Sequence, residues 1–214
     1  MKVCLLAKCA RLLPQFIKSF ESVDFIDKVM FIGYTERQLT PILNKFIKES
    51  DYDYIIITAD DVVFDKSVVE RLVNDAGKFD VLTGYSRIRP SLNRYNITKT
   101  KLKGTFPSHS SYDWYYDRDL RKLIDNNILY GRTYFCGYSL SMFNRKLFDR
   151  VSYGFYDGGK FDGWATDFFV SKQLQDLGVE MFFRVDCYVH HLAWDRDYII
   201  GRVEPHIKVE KVYK

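Results

Sequence analysis

The chain has 214 residues, 47% of them hydrophobic and 17% aromatic, and a formal net charge of +4 at pH 7. Such a chain can bury a sizeable core, and we expect a single domain over residues 1–214, able to stand alone or within a longer polypeptide. No apolar run is long enough for a membrane span, and Lys8 and Arg11 interrupt the only candidate signal region, residues 3–17. We therefore expect a soluble, cytoplasmic protein.

Strand and helix patterns alternate in the first half of the chain, which is typical of a sheet assembled from βα units. Right-handed crossovers between the strands favour one parallel sheet with helices on both faces, so the expected fold class is α/β. Apolar runs predict strands at residues 2–7, 28–33, 54–58 and 80–83, and apolar residues at helical spacing predict helices at 14–20, 41–48 and 67–76.

The regular pattern lapses after Gly84 for about thirty residues, a length more typical of a binding loop or lid than of a passive connection. We expect this irregular segment to close over a ligand. Beyond it, the sequence predicts helices at residues 117–126 and 167–177 and strands at 133–143 and 181–189.

The same segment is basic, because no acidic residue occurs between Val81 and Tyr112. An anionic partner such as a nucleotide diphosphate explains this charge, and a solvated basic loop is the alternative. A nucleic acid is not expected, since no DNA- or RNA-binding motif is visible. The basic residues are Arg87, Arg89, Arg94, Lys99, Lys101 and Lys103.

Two adjacent carboxylates, Asp60 and Asp61, follow an uninterrupted β-branched run at residues 55–57. That run suits a central parallel strand covered on both faces, and ligands gather at the carboxyl ends of such strands. Adjacent anions there repel each other unless a cation or a basic partner neutralises them, and oxygen-rich sites select Mg²⁺ or Mn²⁺. Alternatively, one of the two residues merely caps the following turn.

Four cysteines are dispersed along the chain without Cys-x-x-Cys spacing, so neither a zinc site nor a disulfide framework is favoured. We expect Cys4, Cys9, Cys136 and Cys187 to be reduced core residues. The triplet Asn96-Ile97-Thr98 matches a glycosylation sequon, which has little meaning without a secretory route.

The order of these motifs resembles that of the GT-A fold nucleotide-sugar glycosyltransferases over residues 2–191. The resemblance implies a mixed central sheet, with a nucleotide-binding half at residues 1–84 and an acceptor and catalytic half at 85–214. The chain is also similar in size to the small GT-A domains of large-virus glycosylation enzymes, such as the first domain of a multidomain chlorella-virus glycosyltransferase. The motifs are Thr58-Ala59-Asp60-Asp61, Tyr134-Phe135-Cys136-Gly137-Tyr138, Gly163-Trp164-Ala165-Thr166-Asp167 and His190-His191.

The resemblance implies a metal ion, Mn²⁺ or Mg²⁺, held by Asp61 and Asp60 with His190 or His191. Thr58 stands where many family members have another Asp, which leaves the order of the two carboxylates open, and we favour Asp61. Each histidine is alternatively a structural residue. Imidazole nitrogen is a ligand that Mn²⁺ accepts readily.

The resemblance places catalytic residues at the start of the predicted helix at 167–177. Thr166 replaces the usual Glu, so Asp167 alone carries over, and the nearby Asp162 is a second candidate for an acid–base role. Asp162 is alternatively a turn residue, and Asp167 a helix N-terminal charge.

The ends of the first two predicted strands should face the nucleotide. The expected donor-binding residues are Ala7, Lys8, Arg11, Gly33, Tyr34, Thr35, Asp60 and Arg87, with Cys9 beside them. A separate aromatic group suits stacking on sugar rings, although core packing explains it equally well. Its members are Tyr112, Trp114, Tyr115 and Tyr116, interleaved with Asp113 and Asp117.

These features predict a metal-dependent glycosyltransferase of the hexosyltransferase type, which moves a sugar from a UDP-sugar to a glycan or glycoprotein acceptor. A sugar-nucleotidyltransferase is an alternative, weakened by the lack of a glycine-rich signature near the first strand. A non-catalytic carbohydrate- or nucleotide-binding module is the third possibility. The expected partners are thus a nucleotide sugar and a glycan.

Overall fold

The computed structural model describes residues 1–9, 11–32, 36–89, 94–103, 112–155 and 166–192. Within them, short strands and helices alternate along the chain. In order they are β1 (Val3–Cys9), α1 (Pro14–Ser22), β2 (Asp27–Ile32), α2 (Glu36–Glu49), β3 (Tyr54–Ala59), β4 (Val62–Val63), α3 (Lys66–Asn74), β5 (Val81–Tyr85), β6 (Arg87–Arg89), β7 (Arg94–Thr98), β8 (Trp114–Tyr116), α4 (Asp117–Asp125), β9 (Tyr130–Thr133), β10 (Ser139–Asn144), a 3-10 helix (Arg145–Asp149), α5 (Thr166–Asp176), β11 (Met181–Tyr188) and β12 (His190–His191).

A seven-stranded mixed sheet forms the centre of the fold, in the order β2-β1-β3-β10-β5-β11-β9. Strand β1 pairs in parallel with both β2 and β3, as the βα pattern predicts. Strand β10 runs antiparallel between β3 and β5, and β9 pairs antiparallel with β11 at the edge. The predicted α/β fold class with a mixed central sheet is confirmed. The prediction that the first strands form one entirely parallel sheet is wrong, because β10 lies antiparallel between β3 and β5.

Strand β3 is an interior strand of the sheet, and its side chains are buried on both faces. Ile56 packs in the apolar cluster that includes residues of α1 and α3. Ile55 and Ile57 pack in a second cluster with residues of α2 and α5. Helices therefore cover both faces, which fits the unbroken run of β-branched residues.

Helix α2 begins earlier than predicted, at Glu36, so that Pro41 lies inside it. Buried Leu39 extends the stripe of Leu43 and Ile47 by one turn, and this i, i+4, i+8 spacing outweighs the cost of the proline. The predicted strand at 133–143 is instead two strands, β9 and β10, joined by a turn.

The segment after Gly84, predicted as one long irregular loop, contains a small antiparallel sheet in the order β6-β7-β8. Alternating side chains anchor it, because Tyr95 and Ile97 pack against Tyr85 and Phe183 in a third apolar cluster. Only residues 90–93 and 104–111 of this segment lie outside the described residues. The expectation of a single irregular loop is therefore wrong for the described part.

Within the described ranges, no helix is both long and apolar enough to cross a bilayer.

A buried carboxylate ties the end of α3 to the edge of the sheet. The Asp75 side chain is 2% exposed and accepts hydrogen bonds from Lys78 Nζ at 2.7 Å, Tyr130 Oη at 2.9 Å and Arg184 Nη1 at 2.5 Å. Burial acts to raise the pKa of Asp75, but these three donors outweigh it and hold the pKa below the ordinary value.

We expect Asp75→Asn to lower the free energy of unfolding by about 3 kcal/mol at pH 7, because it leaves the largely buried Arg184 guanidinium without its charge partner. Urea titration measures the change. A depressed carboxyl pKa stabilises the fold above the ordinary aspartate pKa and loses that effect as pH falls through the folded-state pKa. The difference between the two proteins should therefore shrink in acid. Asp51→Asn, in the exposed pair with Lys2, is the control and should unfold like the parent.

Candidate active site

The two adjacent carboxylates lie where β3 ends, beside the carboxyl end of β1. Asp60 is 5% exposed, and its backbone N–H donates to the carbonyl of Lys8 at 3.0 Å. The Asp60 carboxylate accepts the backbone N–H of Arg11. The end of β3 is thus fixed to the segment that follows β1, as expected for a site at this edge of the sheet.

The Arg11 guanidinium lies between the two carboxylates. Its Nε is 3.8 Å from Asp60 Oδ2, and its Nη2 is 3.5 Å from Asp61 Oδ2. Burial raises the pKa of Asp60 and the adjacent Asp61 raises it further, whereas Arg11 and Lys8 oppose the rise. The arginine therefore supplies the positive charge that two neighbouring anions require.

A histidine completes this cluster through the pairing of β12 with β4. His191 lies opposite Val62, and the N–H of Leu192 donates to the carbonyl of Asp61 at 2.7 Å. His191 Nε2 is 3.8 Å from Asp61 Oδ2. Burial lowers the pKa of His191, although Asp61 acts in the opposite direction, and the lower pKa favours the neutral imidazole that metals bind.

His190 occupies the preceding position of β12, and successive side chains of a strand point to opposite faces. Its ring packs edge-on against Tyr188, with ring centroids 5.1 Å apart. Of the two histidines, His191 is therefore the one beside Asp61.

The cluster can accommodate a divalent cation through two of its side chains. Octahedral Mg²⁺ with ligands at about 2.1 Å places neighbouring ligands about 3 Å apart, so Asp61 Oδ2 and His191 Nε2, at 3.8 Å, would approach each other slightly to share one ion. No group of three or more His, Cys, Asp or Glu side chains arranged for a metal occurs in the part of the chain that the structure describes. An ion there would complete its shell with water and substrate phosphate.

A second carboxylate centre lies at the start of α5. Asp167 Oδ1 accepts the N–H of Phe168 at 2.8 Å, and Thr166 Oγ1 is hydrogen-bonded to the Tyr138 hydroxyl. Burial raises the pKa of Asp167 above the ordinary value, and the positive charge of Lys8 counteracts this rise. A carboxylate with a raised pKa is a stronger base than a carboxylate with the ordinary pKa.

The Lys8 side chain connects the two centres. Burial lowers its pKa, while Asp167, Asp61 and Asp60, in order of decreasing effect, all act to raise it. Its Nζ lies 4.4 Å from the centroid of the Tyr138 ring. The Lys8 ammonium group therefore interacts electrostatically with both carboxylate centres, that is, with Asp60 and Asp61 and with Asp167.

The remaining predicted site residues are only partly accounted for. Ala7 is 1% exposed, so only its backbone could face a ligand. Arg87 lies 3.6 Å from Asp117 Oδ1 and over the ring of Tyr95 at 6.0 Å, and the structure shows it in this local pair. The predicted residues that lie outside the described ranges are Gly33, Tyr34, Thr35 and Asp162.

Two members of the aromatic group are core residues, because Tyr112 is 6% and Trp114 2% exposed and both pack near Phe168. Tyr116 is half-buried, with Lys99 and Arg118 near its ring. Core packing, one of the two interpretations of the sequence, is thus observed for Tyr112 and Trp114.

The structure adds Asn96 to the site, a residue the sequence marks only through its sequon. Its Nδ2 would lie 3.1 Å from a Cβ placed on Gly137, and Asp167 Oδ2 would lie 3.4 Å from the same point. No spacing in the chain could connect positions 96, 137 and 167, because the pairing of distant strands brings them together.

A separate depression of about 620 Å³ lies at the opposite end of β3, lined by Met1 and residues 50–54 and 144–146. Ligands of α/β sheets bind at the carboxyl ends of the strands. We therefore assign the candidate active site to the carboxylate centres.

The fold is an α/β fold with a mixed central sheet, and its carboxylates lie where ligands of such sheets bind, beyond the carboxyl ends of the strands. The sequence model described as glycosyl transferase family 2 matches residues 14–152, more than half of the chain. The chain belongs to this family and is a glycosyltransferase with a GT-A fold, so it acts on a sugar donor and an acceptor. This membership favours glycosyl transfer over the nucleotidyltransferase and binding-module alternatives.

Two solved structures are similar to this chain at low sequence identity. A197 from STIV has a TM-score of 0.51 and 17% identity, covering 86% of this chain and 81% of that chain. S. aureus TarS 1-349 has a TM-score of 0.45 and 12% identity, covering 89% of this chain and 60% of that chain. No match was found among curated proteins.

We expect Lys8→Met to raise the pKa of Asp167 further, because it removes the cation that stabilises the ionised carboxylate. Carboxyl ¹³C NMR titration of aspartate-labelled protein measures this pKa, with Asp167→Asn identifying the signal. The matched control is Lys28→Met, whose half-buried ammonium donates to the carbonyls of Phe20 and Glu21. An equal Asp167 pKa in the Lys8 and Lys28 variants would exclude the interaction.

Proposed function

We propose that this chain transfers a hexose from a UDP-sugar to a hydroxyl group of a glycan, with a divalent cation, Mn²⁺ or Mg²⁺, as cofactor. The observation that carries the proposal is the pair of carboxylate centres, one at the carboxyl end of β3 and one at the start of α5, with Lys8 of β1 interacting electrostatically with both. Membership of glycosyl transferase family 2 supports the reaction class.

The proposed donor site combines a positively charged side chain, Arg11, with two side chains that could bind a metal ion, Asp61 and His191. Cleavage of the bond between sugar and diphosphate leaves negative charge on the departing nucleotide, which positive groups must stabilise. Asp61 and His191 would hold the cation, whose chemistry is to stabilise that charge as a Lewis acid. Arg11 is 47% exposed, so its guanidinium can exchange a carboxylate for a phosphate oxygen.

The proposed acceptor site centres on Asp167. Its carboxylate accepts the proton of the attacking hydroxyl, for which a pKa raised by burial is favourable. The positive charge of Lys8 opposes this rise in the pKa of Asp167 and so favours the ionised carboxylate. In this proposal, the centre at Asp61, His191 and Arg11 stabilises the leaving group, and Asp167 acts as the base toward the acceptor.

We expect Asp61→Ala to abolish Mn²⁺-dependent binding of UDP while the circular dichroism spectrum stays that of the parent. The residue follows β3 and is not part of its apolar interior, so the fold should tolerate the change. Isothermal titration of UDP with and without Mn²⁺ measures the effect. Asp60→Ala should also weaken binding, partly because it leaves the N–H of Arg11 without its acceptor.

The matched control is Asp65→Ala, four residues further along. Asp65 is exposed, and its side chain makes no capping hydrogen bond with α3. Asp65→Ala changes the net charge by the same amount as Asp61→Ala, and this variant should bind UDP and Mn²⁺ like the parent. Unchanged Mn²⁺-supported UDP binding by Asp61→Ala would contradict the metal assignment.

We expect Asp167→Asn to lower the sugar-transfer rate by about a hundredfold, because a positioned base is lost with little change of shape. UDP affinity should stay the same, since the residue acts on the acceptor. Release of UDP from a panel of UDP-sugars with methyl glycosides as acceptors measures the rate. Asp176→Asn, at the other end of α5 in a pair with Lys172, is the control. Transfer at the parental rate would leave Asp167 as a helix N-terminal charge.

A further inference from the structure

The side chain of Tyr138 contacts two different elements of the candidate active site. The centroid of its ring lies 4.4 Å from Lys8 Nζ, near the carboxyl end of β1. Its hydroxyl is hydrogen-bonded to Thr166 Oγ1, and Thr166 precedes Asp167 at the start of α5. This partly buried tyrosine therefore connects the lysine of the first strand to the helix that carries the proposed base.

The Tyr138 ring favours the charged form of Lys8, which burial disfavours. Burial lowers the pKa of Lys8, so its ammonium group lies where water is largely excluded. An ammonium group within about 6 Å of a ring centroid is attracted by the negative charge of the ring face, and more strongly when it is desolvated. Because the lysine side chain is flexible, this contact also fixes where the ammonium group lies.

A second tyrosine holds the Tyr138 ring in place. Tyr153 stacks on it, with ring centroids 6.1 Å apart and an interplanar angle of 19°. Tyr153 is 3% exposed, its backbone N–H donates to Asn44 Oδ1 at 2.8 Å, and its carbonyl accepts from Asn44 Nδ2 at 2.7 Å. Since Asn44 belongs to α2, the ring that contacts Lys8 is packed against a residue anchored to a helix.

Buried hydroxyl groups fix the backbone on both sides of the same ring. Ser141 Oγ donates to the carbonyl of Gly137 and lies 2.8 Å from Thr83 Oγ1. Ser139 Oγ lies 2.9 Å from Ser86 Oγ. The four residues of this hydroxyl network are each at most 1% exposed. The ring is therefore carried by a fixed turn and not by a mobile loop.

The start of α5 is bonded to this turn. The backbone N–H of Cys136 donates to Ser171 Oγ at 3.1 Å, and the Ser171 hydroxyl donates to the carbonyl of Asp167 at 2.7 Å. The position of the Tyr138 ring is thus fixed relative to the Asp167 carboxylate, and through the ring so is the position of Lys8.

Lys8 supplies the positive charge that acts on Asp167, because the other titratable groups that interact with this carboxylate are neutral. They are Cys136, Tyr138 and Tyr153, whose pKa values are all raised by burial. Displacing the Lys8 ammonium group would therefore leave Asp167 without its cation, and the carboxylate would take up a proton at a higher pH.

We propose that Tyr138 is a positioning residue for glycosyl transfer, whose ring fixes the Lys8 ammonium group at the place where its charge acts on Asp167. Tyr138 acts through Lys8 and not on the substrate. The proposal rests on the proposed function in that Asp167 is the base. Its test therefore uses NMR measurements that need no substrate, so the two can fail separately.

The test compares Tyr138→Phe, which keeps the ring, with Tyr138→Met, which fills much of the same space without a ring. We expect Tyr138→Met to raise the Asp167 pKa in the same direction as Lys8→Met, and Tyr138→Phe to leave it at the parental value. Carboxyl ¹³C NMR titration of aspartate-labelled protein measures this pKa. In a protein that already carries Lys8→Met, Tyr138→Met should add no further rise, because both changes remove one interaction.

A second measurement observes Lys8 directly. Protons over the face of an aromatic ring are shielded, so the ε-methylene group of Lys8 should resonate upfield of an unperturbed lysine. Lysine labelled with ¹³C makes this signal visible, and Lys8→Met identifies it. Tyr138→Phe should keep the upfield shift, and Tyr138→Met should lose it.

The pH dependence of sugar transfer gives a third readout. A base with a raised pKa stays protonated to higher pH, so the acidic limb of the kcat profile should move to higher pH in Tyr138→Met. Tyr138→Phe should keep the parental profile. A residue with a merely structural role would change the rate at all pH values without moving this limb.

Tyr52→Met is the matched control. Tyr52 stacks on Phe46 with ring centroids 6.3 Å apart, and its hydroxyl donates to Asp27 at 3.0 Å, but it lies at the opposite end of β3. This variant should change neither the Asp167 pKa nor the Lys8 signal. Thermal unfolding of each variant reports the integrity of the fold.

A parental Asp167 pKa in Tyr138→Met would overturn the proposal, as would an equal rise in Tyr52→Met or a rise that adds to that of Lys8→Met. An equal rise in Tyr138→Phe would also overturn it, because the hydroxyl would then carry the effect. If Tyr138→Met does not fold, the Lys8 signal of the unsubstituted protein decides, since a signal without an upfield shift excludes the contact. Failure of the proposed function looks different, because Asp167→Asn would then transfer sugar at the parental rate.

Discussion

Charge balance at one edge of the sheet is the constraint on which the rest of the site depends. Asp60 and Asp61 are adjacent in the chain, and Asp60 is nearly excluded from water, so their ionised forms are costly without a partner. Arg11 meets this requirement with a side chain that reaches both carboxylates and a backbone N–H bound to one. The segment after β1 and the end of β3 are therefore joined by electrostatics as well as by the sheet.

Lys8 extends this balance to the start of α5. Burial acts against its charge, and three carboxylates on two sides act in its favour. The charge of Lys8 therefore depends on both carboxylate centres. In the proposed reaction, an anionic donor bound beside Asp60 and Asp61 would change the charge environment of Asp167, the group proposed to meet the acceptor.

The insertion of β10 between β3 and β5 gives the second centre its shape. The pairing of β10 with β3 shifts register between Ser139 and Ser141, and Leu140 between them has φ +61°. Leucine is not β-branched, but a positive φ at this bulge is still strained for it. Such strain persists where the surroundings fix the backbone conformation. Here the fully buried Leu140 side chain and the hydroxyl network hold the turn that carries Gly137 against Asp167.

The sequence by itself determined the α/β class, the central position of β3 and the placement of Asp60 and Asp61, because unbroken β-branched runs and helical spacing are local signals. It also identified Lys8, Arg11, Asp167 and His191 as candidates, through their positions at strand and helix ends and through family resemblance. Only the tertiary structure decided that Arg11 neutralises both carboxylates, that His191 and not His190 faces Asp61, and that Asn96 and Gly137 meet at Asp167. The extent of α2 and the sheet at 87–116 also required it. Apart from the extent of α2, these features depend on pairings between different strands, parallel for β1 with β3 and antiparallel for β10 with β3 and β12 with β4, and no local periodicity encodes such pairings.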